Sequence, residues 1–106
     1  MAAKESVIKL AENFAREVKQ EGINLKKVIL FGSHAKNTFR KDSDIDIALV
    51  ADEFAGFVFN DLNLFIKTII KKNYLRIQVQ TFSTNYFKKG DPFIDEIKRT
   101  GVEINF

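Results

Sequence analysis

The chain predicts an α+β fold, and three patterns carry that expectation. Apolar residues recur at helical spacing in two long stretches, they alternate at strand spacing in others, and glycines separate the two kinds. With 106 residues and 45% apolar side chains there is material for one core and too little for two, so a single domain over 1–106 is expected.

Residues 3–21 place Val7, Leu10, Ala11, Phe14 and Val18 on one helical face, with Lys, Glu and Arg on the other, and Gly22 ends the helix. Val28-Ile29-Leu30-Phe31 is a continuous apolar run stopped by Gly32, the pattern of a strand buried on both faces. A turn begins at Gly32-Ser33. After a polar loop, Asp44 to Val50 alternates: Ile45, Ile47 and Leu49 share one face, and Asp44, Asp46, Ala48 and Val50 share the other.

Phe59, Leu62, Phe65, Ile66, Ile69 and Ile70 form a second helical stripe, which predicts a helix of roughly fourteen residues with Lys71-Lys72 at its basic end. Arg76 to Phe82 reads as a third strand, with Ile77 and Val79 opposite Gln78 and Gln80. Asp91-Pro92 starts a helix carrying Phe93, Ile94 and Ile97, Gly101 ends it, and Val102, Ile104 and Phe106 alternate in a last strand. The phenylalanines at 57, 59, 65, 82, 87 and 93 are most simply core, the alternative being that some form an exposed patch for a partner. The 54–59 stretch, FAGFVF, is too apolar for a free loop and must be tucked under the sheet or covered by another protein.

No apolar stretch is long enough to span a bilayer, and the opening MAAKESVIKL carries charges where a signal peptide needs its apolar segment. A cytoplasmic protein is the expectation. The absence of cysteine excludes disulfides and cysteine-ligated zinc or iron–sulfur sites. The net charge of +3 is scattered, and no base-reading element is present, so nucleic acid is not expected as a direct substrate.

The chemistry lies in Gly32-Ser33 and Asp44-Ile45-Asp46. Same-face residues of a strand stand roughly 6.6–7 Å apart, so two aspartates at alternate positions can lean toward one metal pair. Magnesium suits them, since it takes oxygen ligands and keeps room for substrate phosphates. A glycine lets backbone approach a phosphate, and the serine after it adds N–H and hydroxyl donors. Each half alone has a plainer reading, a solvated strand face and an ordinary strand-to-helix turn. His34, the one histidine, is expected to face solvent and is assigned no role.

Gly32-Ser33, ten intervening residues, then Asp44-Ile45-Asp46 resembles the signature of the minimal nucleotidyltransferases of the DNA polymerase beta superfamily. Arg40 and Asp42-Ser43 ahead of the first aspartate, and the ending Ile-Lys-Arg-Thr-Gly-Val-Glu-Ile, are similar to small members as well. The resemblance implies a small mixed sheet with helices packed on one side. It implies Asp44 and Asp46 as catalytic and metal-binding residues, with one or two magnesium ions. Gly32, Ser33 and Arg40 would then hold a nucleoside triphosphate, with ATP as the donor.

The family's third carboxylate falls by position on Gln78, and His34 and Lys36 stand where small members often have arginines. Asp52, Glu53 and Asp61 are the other nearby acids, none of them at the matching strand position. Many small members work beside a HEPN-domain protein in toxin–antitoxin pairs and move AMP to a tyrosine of the HEPN ribonuclease. A HEPN partner is therefore implied, and a homo-oligomer is compatible with it. The alternative is a nucleotidyltransferase-fold module that neutralises a partner by binding alone.

Overall fold

The computed structural model describes residues 5–36, 38 and 43–106. Four strands, β1 (Leu25–Phe31), β2 (Ile45–Ala51), β3 (Ile77–Phe82) and β4 (Val102–Glu103), form one sheet in the order β3-β2-β1-β4. β1 runs antiparallel to β2 and β4, while β2 and β3 are parallel. A parallel pair needs a crossover, and the chain between β2 and β3 supplies it with two short helices, α3 (Val58–Leu62) and α4 (Ile66–Ile69). The expected α+β class and small mixed sheet are present.

Alternation along the strands divides the interior in two. Val28, Leu30, Ile47, Leu49 and Val79 face a large core closed by α1 (Glu5–Gln20) through Ala11, Phe14, Ala15 and Val18. Ile29, Ala48, Val50 and Phe82 face the opposite way, into a smaller core closed by Phe87 of α5 (Thr84–Lys89) and by Ile94 and Ile97 of α6 (Pro92–Thr100). Helices therefore lie on both sides of the sheet and not on one side as expected, and the second side is covered only in part. The reason is chain length after β3: two short, well-capped helices reach one half of that face. Ser83 caps α5 by accepting from the Tyr86 N–H at 3.2 Å, and Asp91 caps α6 by accepting from the Ile94 N–H at 2.7 Å. The periodicity did not predict α5.

The predicted helix over the 59–70 stripe is broken. Phe65 leaves helical geometry at φ −138°, ψ 38°, which inserts its ring in the large core between Phe14 and Phe54 and separates α3 from α4. Burying one aromatic overrode local propensity. The rest of the stripe is not sealed, for Phe59 is 88% and Ile70 65% exposed. Among the phenylalanines expected in the core, Phe65, Phe82 and Phe87 are buried, whereas Phe57, Phe59 and Phe93 are exposed. FAGFVF is split accordingly: Phe54 is tucked in and Phe57 and Phe59 are out. The last strand is only two residues long.

Candidate functional site

β1 ends at Phe31, opposite Asp46 of β2, and the chain then turns at Gly32 into α2 (Ser33–Lys36). Gly32 adopts φ +74°, a region where side chains are strained. A Cβ there would also stand 2.3 Å from Asp46 Oδ2. The glycine is thus required twice, by its own backbone and by the carboxylate it accommodates. The Gly-Ser turn and the second aspartate, distant in sequence, touch.

The Gly32 carbonyl accepts from the Lys36 N–H at 3.1 Å, so Gly32 rather than Ser33 occupies the cap and Ser33 is the first helical residue. The first N–H groups of a helix have no partner within it. The turn therefore brings the first N–H groups of α2 into the neighbourhood of the Asp46 carboxylate.

Asp44 is exposed and Asp46 half-buried, both on the incompletely covered side of the sheet. Burial and the nearby Asp44 charge push the Asp46 carboxyl above its ordinary value, with His34 pulling weakly the other way. Two like charges held together in this way are a place a cation would relieve. Gln78 pairs in register with Asp46 and Gln80 with Ala48, and both glutamines are exposed. The donor set near the aspartates is two carboxylates and a neutral amide oxygen, all hard ligands of the kind magnesium takes. Among the described residues no cluster of three or more His, Cys, Asp or Glu side chains could hold a metal.

Of the other nearby acids, Asp61 and Glu53 are otherwise engaged, and Asp52 is exposed. Asp61 is buried and accepts from the Ala55 N–H (3.0 Å), the Gly56 N–H (2.9 Å) and the Thr81 hydroxyl (2.7 Å), which fastens the 55–56 turn to β3. Glu53 accepts from the Asn24 N–H at 2.8 Å. Arg40 lies outside the described residues, as do Lys41 and Asp42.

Two residues near the site were missed by sequence reasoning. His34, expected in solvent, is 4% exposed, and its Nε2 lies 3.3 Å from the Ser43 carbonyl. Arg76 donates to the same carbonyl at 2.6 Å, and its own carbonyl accepts from the Ile45 N–H at 2.9 Å. Both fix the backbone just before Asp44, so they are positioning residues. The one legible sign was that Arg76 opens the predicted third strand; in the structure it stands just before β3. Gln80, Tyr86 and Asp91 are among the residues that line a cavity of about 420 Å3.

The profile of the Nucleotidyltransferase domain family matches residues 11–103. The chain belongs to that family. Its structure is similar to a crystal structure of an inferred nucleotidyltransferase from Sulfolobus solfataricus, at a TM-score of 0.65 and 26% identity over 92% of this chain and 78% of that one. It also shares its fold with a chain of a toxin–antitoxin structure solved with AMP-PNP, at a TM-score of 0.57 and 22% identity over 87% of this chain and 70% of that one. No curated protein matches the sequence.

Proposed function

We propose that this chain is a magnesium-dependent nucleotidyltransferase that moves AMP from ATP to a hydroxyl of a partner protein, in the manner of an antitoxin acting on a HEPN ribonuclease in the cytoplasm. The observation that carries the reading is the contact between Gly32 and Asp46, which joins the Gly-Ser turn to the carboxylate strand. The toxin–antitoxin neighbour, solved with an ATP analogue, supports the partner and the nucleotide.

In this reading Asp44 and Asp46 hold magnesium, with the Gln78 amide oxygen beside them. When bound, the metal neutralises charge on the phosphates and on the departing pyrophosphate. Gly32, Ser33 and the first N–H groups of α2 hold the β- and γ-phosphates, and the sequence motif assigns Arg40 to the same task. The acceptor hydroxyl oxygen forms a bond to the α-phosphorus as the bond to the bridging oxygen breaks, so hydroxyl and pyrophosphate lie in line. If the pyrophosphate departs on the β1 side, the acceptor approaches from the β3 side. Gln78 orients the hydroxyl by hydrogen bonding but cannot take its proton, which passes to solvent.

The second reading is a binding module that neutralises its partner without chemistry, and Gln78 in register with Asp46 favours it. Transfer of labelled AMP from ATP in host lysate, with the native chain, Asp46→Asn and Gln78→Asp, separates the two. A labelled protein that vanishes with Asp46→Asn supports the transferase. Label produced only by Gln78→Asp identifies a fold whose chemistry has lapsed.

A further inference from the structure

The broken crossover leaves a surface that the proposed chemistry does not use. Phe59 of α3, at 88% exposure, and Ile70, just past the end of α4, at 65%, stand in water, and Ile66 of α4 is exposed as well. Between α3, α4 and β3 runs a groove of about 220 Å3, walled by Val58, Phe59, Leu62, Ile69, Ile77 and Val79. An apolar surface of this kind on a small chain marks an interaction site.

Two observations say what covers it. Gln78 also lines the groove, and Gln78 is the residue in register with Asp46. A protein lying in the groove therefore borders the β3 side of the aspartate site, where the acceptor is expected. The second observation is charge. Between residues 58 and 72 the sole acid is Asp61, buried and fully hydrogen-bonded, whereas Lys67, Lys71 and Lys72 are exposed. Lys71 pairs with Glu17, and among the described residues Lys67 and Lys72 have no ion pair. Two copies meeting through this face would bring lysines against lysines.

We infer that the α3–α4 groove docks a different protein, one presenting an apolar face bordered by carboxylates, and that this protein carries the acceptor hydroxyl. The identity of the occupant as acceptor rests on the transferase reading, whereas the docking surface does not. An exposed aromatic lining a groove is a common form of interface anchor, and here the same stretch of chain carries the exposed Lys67 and Lys72. Attraction between lysines and carboxylates steers the encounter and makes it sensitive to salt.

The test uses immobilised full-length chain in host lysate, comparing native protein, Phe59→Glu, Ile70→Glu and Asp46→Asn, each checked for native circular dichroism. A photo-crosslinker at position 59 identifies the bound protein and the contact point by mass spectrometry. The expected result is one identified protein, cross-linked on an apolar face flanked by Asp and Glu. Its retention should fall at least tenfold with Phe59→Glu or Ile70→Glu, fall with added salt, and persist with Asp46→Asn. Equal retention by Phe59→Glu, or no specific partner for the native chain, overturns the inference. A concentration-dependent dimer in sedimentation velocity that Phe59→Glu abolishes overturns it in favour of a second copy. Retention without AMP labelling of the retained protein leaves the docking surface standing and removes the transferase reading alone.

Discussion

The two faces of the sheet come from alternate residues of the same strands, yet one is sealed and the other half open. On the sealed face Phe14, fully buried, meets Tyr74 edge-on at 5.1 Å and Phe65 at 6.3 Å beneath α1. On the open face Asp46, Gln78 and Gln80 run in line with Ala48, Val50 and Phe82, and only the latter part is roofed by α5 and α6. Hydrophobic burial is concentrated where water is excluded, and the polar groups proposed to meet a substrate sit where it is not. Stability and chemistry can therefore be altered separately, one face at a time.

The largest expected effect is on the sealed face. Phe14→Ala should cost about 3–5 kcal/mol, read as a lower urea midpoint at unchanged slope, because it leaves a cavity that two rings cannot fill. Loss of Asp61 comes next: Asp61→Ala frees two backbone N–H groups and the Thr81 hydroxyl, at about 2–3 kcal/mol in the same measurement. At the boundary between the faces, Gly32→Ala should cost about 1–3 kcal/mol and displace the Asp46 carboxylate, which joins the two properties that the sheet otherwise separates. Calorimetry of ATP binding with magnesium, beside urea unfolding, checks whether binding falls more steeply than stability.

A smaller effect is written in pH. Hydrogen bonds from Lys71 and Tyr74 hold the Glu17 carboxyl below its ordinary value, against the opposing effect of burial. A depressed carboxyl stabilises the fold fully above its unfolded value, and that contribution disappears as pH falls through the folded one. Glu17→Gln should therefore flatten the acid side of the stability profile. Burial, then Glu17, pushes the Tyr74 hydroxyl up to about 12, so its contribution is complete below pH 10 and is lost as pH rises through that higher value. Tyr74→Phe should flatten the alkaline side. The smallest effect belongs to the open face, where Gln80→Ala should change stability by no more than about 0.5 kcal/mol.

How much was legible follows the range of each signal. β1, β2, β3, α1 and α6 are marked by periodicities and caps that lie within a few residues, and the structure places them where those marks fall. That Gly32-Ser33 and Asp44-Ile45-Asp46 form one motif was readable as a resemblance, because the spacing sets both ends. Their contact was not, because it depends on the β1–β2 register. His34 read as a loop residue, since nothing in its neighbours shows that the turn folds it beneath Ser43. Phe59 and Phe65 belong to one stripe, yet one is in water and the other in the core. A stripe records which side chains would share a helix face, not whether anything arrives to cover it.

Alternation of apolar and polar residues determined by itself that two aspartates share a strand face, and a glycine after an apolar run determined where the strand must turn. Both follow from local backbone geometry, which repeats every two residues in a strand. Tertiary structure alone decided that Gly32 leaves room for Asp46, that Gln78 stands beside it, that Asp61 is spent on a turn, and that Phe59 is left in water. Those outcomes depend on residues far apart in the chain competing for the same limited interior, and no short window of sequence contains that competition.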